Sequence, residues 1–308
     1  MDSGTNNYIE IRPKSKLEYF FWSDPYRLPK DAATLTYFEK RGVQFLVALG
    51  KHTMKEKCYS KIKTLIDKNI GVNICLLDKD FAHLDNSYNF IGLYKLLRKS
   101  PIFDKANEIY IDAEISNKYR KNIRKFALDK KLGYIYNNYP SKKEYHKAIG
   151  DYNHLIKLIH KDGKKFGIIR SITAAYEVDK LTRNVPFKEI EEDISVTMVY
   201  RVPEKREKEY KDYWFYQIAK KEGDNIFLGG VNNAYESLKK DITICSYLKK
   251  KRIYIYDFHG FQKFCKISYL KPYKQYKIKK DPLESFKHTI KFAGLEVADK
   301  FIKIFKLK

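Results

Sequence analysis

The sequence has 308 residues, 44% of them apolar and 15% aromatic, which is enough to bury the core of one large α/β domain. Lys and Arg total 62 against 38 Asp and Glu, so the net charge of +24 would attract nucleic acid, anionic lipid or acidic glycans. The basic residues are spread along the whole chain, which is typical of background composition rather than of one binding arm. Four widely spaced cysteines without a CxxC pair disfavour a zinc site and a disulfide framework.

The N-terminal segment, residues 1–16, has no apolar stretch typical of a signal peptide, and we assign it to an N-terminal extension. No apolar run in the chain approaches the ~20 residues that a membrane-spanning helix needs. We therefore expect a soluble, cytoplasmic protein, unless an export signal or a membrane anchor lies outside the sequence.

Short apolar segments alternate with amphipathic segments about eight times along the chain, a pattern typical of a parallel α/β fold. The predicted strands cover 17–22, 43–49, 72–78, 108–111, 166–172, 195–200, 225–231 and 252–258. The segment YIYNN, residues 134–138, resembles a ninth strand and would be an insertion in a strict eight-stranded barrel.

Capping residues indicate where the predicted helices begin and end. The first helix should begin near Pro29 and end before Gly42. Two pairs match the capping-box pattern at a helix start: Thr53 with Glu56, and Ser141 with Glu144. Other helices are predicted around 89–99 and over 117–131, and the helix after Ser141 should run to about 161.

Eight strand–helix units match a (β/α)8 TIM barrel, which typically has ~250 residues. A doubly wound open sheet is the alternative, but it would favour a glycine-rich first turn, and no GxGxxG or GxxxxGK[ST] occurs. We predict a single-domain barrel over 17–280 and a C-terminal amphipathic helix over 281–308 that packs on it. A membrane-surface or partner helix is the alternative for this tail.

In a TIM barrel, the residues that directly follow the strands build the active site at one mouth. Here they form a ring of carboxylates, aromatics and amides. The pairs in chain order are Trp22 and Asp24, Lys51 and His52, Asp78 and Asp80, Asp112 and Glu114, Tyr176 and Glu177, Tyr200 and Arg201, Asn232 and Asn233, and Asp257 and His259.

Asp112 and Glu114 are the candidate catalytic residues. They are two positions apart on a strand, so their side chains point to the same face and could share a proton. Glycoside cleavage needs such a pair, one group to protonate the leaving oxygen and one to act as base or nucleophile. The alternative is that both acids only form ion pairs with nearby Lys, Arg or a helix N-terminus.

Aromatic faces suit the C–H faces of sugars, and carboxylates and amides suit sugar hydroxyls. The predicted substrate-binding residues are Trp22, Asp24, Asp78, Glu177, Tyr200, Asn232, Asp257 and His259. Structural roles are the alternatives: Trp22 as a barrel plug, Asp78 as a cap of the next segment, and His259 as a structural histidine with satisfied hydrogen bonds. Acids around a mouth also suit a divalent ion, but the spacing gives no metal signature, and we expect neither metal nor cofactor.

Short motifs at the strand positions resemble a known family. FFWSDP (20–25), EIYIDAE (108–114), SVTMVYR (195–201) and IYIYDFHG (253–260) are similar to segments of chitinase-type (family 18) glycoside hydrolases and their uncharacterised relatives. The resemblance implies a TIM barrel in which Glu114 is the general acid, Asp112 its partner, and Tyr200 a contact near the reacting carbon. The family's fourth strand reads D-G-x-D-x-D-x-E, whereas this chain has Asn107, Glu108 and Tyr110 at three of those positions. Tyr256-Asp257 replaces the region of its strand-eight Trp.

The sequence therefore predicts a glycoside hydrolase-like protein that acts on an oligosaccharide or polysaccharide by carboxylate acid/base chemistry. The first alternative is a non-catalytic glycan-binding barrel, which the lost acids at 107 and 110 favour. The second is a protein that binds polyanions through its basic surface, with an affinity that falls steeply with salt. No RNA-binding aromatic motif and no helix-turn-helix pattern supports this second alternative.

Overall fold

A computed structural model describes residues 8–114, 116, 118–119, 121, 128–171, 183–186, 188–199, 212–229, 235–265 and 267–281. Ten strands lie in these ranges: β1 (Tyr8–Ile11), β2 (Glu18–Ser23), β3 (Gln44–Leu49), β4 (Val72–Leu76), β5 (Glu108–Asp112), β6 (Lys165–Arg170), β7 (Ile194–Met198), β8 (Asn225–Leu228), β9 (Arg252–Ile255) and β10 (Tyr276–Lys279).

Strands β2 to β9 form a closed barrel in chain order, and all of their pairings are parallel. Strand β9 closes the barrel by pairing with β2, with Phe20 opposite Tyr254. Parallel neighbours need a crossover, and helices lie in most of the described connections between consecutive strands. The fold predicted from the alternating pattern, a (β/α)8 barrel, is confirmed.

The helices of the described part are α1 (Ala32–Arg41), α2 (Glu56–Ile66), α3 (Ser87–Leu97), α4 (Leu128–Asn138), α5 (Lys142–Lys161), α6 (Asp212–Lys221), α7 (Tyr235–Tyr247) and α8 (Phe258–Phe264). Two predicted helix ends are confirmed. Gly42 ends α1 with a φ of 62°, a conformation that glycine adopts without steric cost. Ser141 and Glu144 form the capping box of α5, in which each side chain bonds the other's backbone N–H.

Several local predictions were wrong, including the end of β9, which lies at Ile255 rather than at residue 258, where α8 begins. Residues 134–138 belong to helix α4, in which Ile135 packs against Tyr139 one turn later and the Asn138 amide donates to the Tyr134 carbonyl. The Thr53–Glu56 capping box does not form, because the Thr53 hydroxyl accepts from the Gly50 N–H at 2.8 Å and closes the turn after β3. Strand β4 ends at Leu76 rather than at residue 78, so the two predicted strand residues beyond it lie in the loop at the mouth.

The barrel interior is filled by aromatic and aliphatic side chains that alternate inward along the strands. Phe20 stacks on Tyr254 with 4.6 Å between ring centroids, and Tyr110 lies against Tyr254 at 5.9 Å. A Cβ at Gly167 would overlap the Tyr110 ring, so this glycine makes the room that the tyrosine fills. The barrel is therefore a packed core rather than a pore.

A polar network with a buried centre closes the amino-terminal end of the barrel; we call Glu18, Glu108, Tyr110, Arg252 and Tyr254 the basal network. Arg252 Nη1 donates to Glu108 Oε1 at 2.9 Å and its Nε donates to Glu18 at 3.2 Å. The Tyr110 hydroxyl donates to Glu108 Oε2 at 2.6 Å and lies 2.8 Å from the Tyr254 hydroxyl. Burial raises the pKa of Tyr254 to about 12, so both phenols stay neutral at physiological pH.

Strands β1 and β10 form an antiparallel ribbon outside the barrel, which brings the two ends of the described chain together. The Tyr276 hydroxyl of β10 donates to Asp212 at the start of α6 and so ties the ribbon to the outer layer. The boundaries predicted for the N-terminal extension and the barrel remain predictions. The predicted C-terminal helix lies outside the described residues from 282 onward. No helix in the described part has the length and apolarity to cross a membrane.

Candidate active site at the barrel mouth

Asp112, the last residue of β5, is buried inside the mouth with only 5% of its surface exposed. Its side chain points inward because it follows Tyr110 by two positions on the strand. Burial raises the pKa of the Cys75 thiol, and the negative charge of Asp112 raises it further, whereas the neighbouring Trp22 side chain lowers it. Asp112, Cys75 and Trp22 therefore meet at the top of the barrel interior although they come from three strands.

The backbone after Asp112 is held by three neighbouring segments, which fixes the position of Glu114. The Asp112 carbonyl accepts from Ala82 N–H at 2.7 Å, and Ala113 N–H donates to the Ile169 carbonyl at 2.8 Å. The side-chain amide of Asn184 donates to the Ala113 carbonyl at 3.3 Å. Glu114 is half-buried, so the two acids differ: Asp112 is enclosed, and solvent reaches Glu114.

An aromatic pair borders the two acids. The rings of Trp22 and Tyr256 lie 4.8 Å apart, and Tyr256 is 41% exposed. Burial raises the pKa of the Tyr256 phenol most, followed by the negative charges of Asp257, Asp112 and Glu114. Three carboxylates therefore lie within electrostatic reach of one phenol at the mouth.

Asp257 has a structural contact as well as a place at the mouth. Its Oδ1 accepts from Gly260 N–H at 2.8 Å and caps helix α8, and its Oδ2 lies 3.8 Å from Arg27 Nη1. The peptide bond between Tyr256 and Asp257 is cis. His259 lies in the first turn of α8 and is exposed.

A cleft of about 250 Å³ opens beside Trp22 between the ends of β2, β3 and β4; we call it the mouth cleft. Asp24 and Asp78 line it together with Lys51, His52 and Lys79. Both acids also hold local structure: Asp24 Oδ1 accepts from Tyr26 N–H, and Asp78 Oδ2 accepts from the Asn89 amide, each at 2.7 Å. The capping role expected as the alternative for Asp78 does not exclude a substrate role, because the residue still lines the cleft.

An ion-pair cluster ties together the loops on the mouth side; we call Asp85, Glu144 and Arg183 the loop cluster. The Arg183 guanidinium donates to Asp85 at 2.6 Å and to Glu144 at 2.8 Å. Hydrogen bonds from Ser141, first from its backbone N–H, and then the bond and charge of Arg183 lower the pKa of Glu144 to about 2. The residue after Arg183, Asn184, contacts the Ala113 carbonyl, so this cluster supports the backbone next to Glu114.

The structure brings four predicted residues together at the centre of the mouth: Trp22, Asp112, Glu114 and Asp257. Asp24 and Asp78 join them along the mouth cleft. Several predicted residues lie outside the described residues, namely Glu177, Tyr200 and Asn232, together with the weaker candidates Tyr176, Arg201 and Asn233. Their roles remain predictions.

Three residues that lie at the mouth were not among the predicted site residues: Arg27, Cys75 and Tyr256. Tyr256 continues the inward alternation of Arg252 and Tyr254, so a count by twos along β9 would have found it. Arg27 lies in a short 3-10 helix after β2 and reaches Asp257 only through barrel closure, so no local signal marks it. Among the described residues, no group of three His, Cys, Asp or Glu side chains is arranged to hold a metal ion.

No family model and no curated protein matches the chain. Solved structures that resemble it include a GH18 chitinase from Pseudoalteromonas aurantia, at 10% identity over 80% of this chain and 96% of that chain, with a TM-score of 0.43. A D-allulose 3-epimerase from Methylomonas sp. has 8% identity over 80% of this chain and 87% of that one, with a TM-score of 0.43. A D-psicose 3-epimerase, in the presence of D-fructose, has 10% identity over 94% and 99%, with a TM-score of 0.42.

At these values the likenesses carry no argument about activity. The fold follows instead from the closed ladder of eight parallel strands, β2 to β9. The chain is a (β/α)8 TIM barrel.

Proposed function

We propose that the protein acts on a glycan as a glycoside hydrolase-like enzyme, with Glu114 as general acid and Asp112 as its partner. The observation that carries the proposal is the grouping of Asp112, Glu114 and Asp257 around Tyr256, beside the Trp22 ring, at the carboxyl ends of the strands. In this fold, that end is where catalytic residues are found. Carboxylates next to aromatic faces suit a substrate with hydroxyls and apolar ring faces.

The different exposure of the two acids supports different roles. Glu114 is reached by solvent and would transfer its proton to the glycosidic oxygen as the C–O bond breaks. Asp112 is enclosed and would keep its negative charge near the sugar carbon, where positive charge develops in the transition state. Water then adds to that carbon, and the proton that it loses restores Glu114 for the next turnover.

The aromatic pair and the mouth cleft would hold the sugar units. Trp22 and Tyr256 offer ring faces, and Asp24 and Asp78 offer hydroxyl acceptors along a cleft of about 250 Å³. Pockets for drug-sized ligands are typically ~300–1,000 Å³, so this cleft has room for about one sugar unit beside the acids. The predicted residues Glu177, Tyr200, Asn232 and His259 would add further contacts.

The decisive experiment is a screen of oligosaccharides with product detection by mass spectrometry, with wild-type protein and Glu114→Gln compared. The wild type should release shorter sugars, and Glu114→Gln should lose about 10²–10⁴-fold in kcat while it keeps its binding and its melting temperature. Glu191→Gln, an exposed glutamate just before β7, is the matched control and should retain full activity. Undiminished cleavage by Glu114→Gln would refute the role of Glu114.

One observation favours a non-catalytic glycan-binding protein as the second candidate. Tyr110 occupies a position where the chitinase-type family has an acid. Its ring packs against Gly167 in the barrel interior, and its hydroxyl donates to Glu108. That position therefore supplies packing rather than a carboxylate to support Asp112. Binding of an oligosaccharide by the wild type without any released product, together with weaker binding by Trp22→Ala, would establish this candidate over the enzyme.

A further inference from the structure

A second cleft lies at the opposite end of the molecule, beside the starts of β2 and β3; we call it the basal cleft. Its volume is about 160 Å³, and its lining includes Lys16, Tyr19, Tyr37, Arg41, Leu270 and Lys271. Because Lys16 and Tyr19 belong to the amino-terminal side of β2 and Arg41 to the end of α1, the cleft is separate from the mouth. The proposed glycan site makes no use of it.

The charge of the basal cleft is entirely positive. Lys16, Arg41 and Lys271 line it, and no carboxylate does. Among the described residues, none of these three cations forms an ion pair. Other basic residues at this end have acidic partners, such as Arg252 with Glu108 and Lys251 with Asp224. Within the part of the chain that the structure describes, these three positive charges are therefore not neutralised.

Aromatic groups hold the cleft in shape and orient one of its cations. The Arg41 guanidinium lies over the Tyr37 ring, 5.5 Å from its centroid. This stacking leaves the N–H groups at the edge of the guanidinium able to donate to a ligand. The Tyr19 hydroxyl donates to the Leu270 carbonyl at 2.7 Å and so fixes the wall that carries Lys271.

We propose that the basal cleft binds a small oxyanion, namely a phosphate or sulfate group, either free or as the ester of a single sugar. The planar guanidinium of Arg41 can donate two parallel hydrogen bonds to such a group. Lys16 and Lys271 add two positive charges to balance a dianion. The Tyr37 ring and the apolar wall at Leu270 can contact the ring of a sugar ester.

The size of the cleft favours a small anion over a nucleic acid. Its volume of about 160 Å³ is below the ~300–1,000 Å³ of pockets for drug-sized ligands. A nucleic-acid groove would continue as a row of cations with aromatic platforms for successive bases. The basal cleft therefore suits one small charged group. Binding of a long polyanion by many surface lysines would be a different outcome of the test.

The test is isothermal titration of the whole chain at low, constant ionic strength with inorganic phosphate, inorganic sulfate, glucose 6-phosphate and unmodified glucose. We expect one site with a Kd of about 0.1–1 mM for the anions and no binding of glucose. Arg41→Gln and Lys271→Gln should each weaken the anions at least about tenfold. The matched controls are Lys40→Gln, the exposed neighbour on α1, and Lys274→Gln, an exposed lysine after Lys271. Both should bind like the wild type.

The outcomes separate the ligand sources and decide the proposal. Tighter binding of glucose 6-phosphate than of phosphate would assign a sugar ester, and equal binding would assign the free anion. The proposal is overturned if the wild type binds none of the anions below about 10 mM, or if the controls lose as much affinity as Arg41→Gln. It is also overturned if a long oligonucleotide, titrated in the same way, binds and none of the small anions does. Because glycan cleavage at the mouth is measured separately, either proposal can fail without the other.

Discussion

At the amino-terminal end of the barrel, the buried Glu108 meets Arg252 at 2.9 Å and two tyrosines complete the hydrogen bonds. At the mouth, Asp112, Glu114 and Asp257 lie within electrostatic reach of Tyr256, and Arg27 Nη1 lies 3.8 Å from Asp257 Oδ2. Both ends place carboxylates on inward positions of the same strand, β5. One end pairs a carboxylate with a guanidinium and a phenol, and the other brings several carboxylates near one phenol.

This difference indicates which end serves stability and which serves chemistry. A buried carboxylate that bonds a cation and a phenol has its charge compensated. Removal of the cation leaves a buried, uncompensated charge, which destabilises the folded state. Carboxylates that lie near each other disfavour each other's negative charge, so their proximity does not by itself stabilise the folded state. Sites that sacrifice stability in this way are typically sites of function.

The largest expected effect on stability comes from Arg252→Ala, which leaves Glu108 buried without its cation. We expect the free energy of unfolding to fall by about 3–5 kcal/mol, measured by urea denaturation. The neighbouring Lys251→Ala is the control, because its ion pair with Asp224 is exposed, with side-chain exposures of 73% and 54%. It should cost less than about 1 kcal/mol. Equal losses for the two variants would contradict the assignment of the basal network to stability.

At the mouth, Asp112→Asn should have the opposite consequence. It keeps the size of the side chain and removes a negative charge that lies near the same phenol as Glu114 and Asp257, so we expect the free energy of unfolding to stay within about 1 kcal/mol of the wild type. We expect turnover of a cleaved glycan to fall at least about 100-fold. Asp31→Asn, at the exposed N-cap of α1, is the control, since Asn caps a helix as well as Asp. A strong loss of stability in Asp112→Asn with activity retained would reverse the comparison.

Within the barrel, Gly167→Ala tests how tightly Tyr110 fills the interior. The added methyl group would overlap the Tyr110 ring, and we expect a loss of about 1–3 kcal/mol in thermal or urea unfolding. Gly150→Ala, in the middle of α5 with open space around it, should instead stabilise the protein by about 0.5–1 kcal/mol. A neutral Gly167→Ala would mean that Tyr110 can move, and the interior would then be less closely packed than described.

The smallest effect is a pH dependence of the loop cluster. The pKa of Glu144 is lowered to about 2 from its usual 4.5, so the charged carboxylate is favoured in the folded state. Its contribution to stability is present above pH 4.5 and is lost as the pH falls towards 2. Because the side chain is half exposed, this contribution should be below about 1 kcal/mol. In melting curves between pH 2 and pH 5, Glu144→Gln should decline less than the wild type or Glu191→Gln.

The sequence predicted the barrel because its signals are local. Apolar runs of strand length alternate with helical segments, and Gly42 and the Ser141 capping box mark helix ends through their own backbone chemistry. The failures occurred where local preference was ambiguous. Residues 134–138 contain β-prone tyrosines and an isoleucine, but contact between Ile135 and Tyr139 favours the helix. Thr53 fits a capping box by spacing, but its hydroxyl bonds Gly50.

By itself, the sequence determined the eightfold strand order and the position of Asp112 and Glu114 at the end of a strand, because both follow from short-range periodicity. Only the tertiary structure decided which residues meet them. Trp22, Cys75 and Tyr256 reach the acids from β2, β4 and the end of β9, and those contacts exist only because the barrel closes. Tertiary structure also decided which cation meets the inward Glu108 of β5, since Arg252 becomes its neighbour only across that closed barrel.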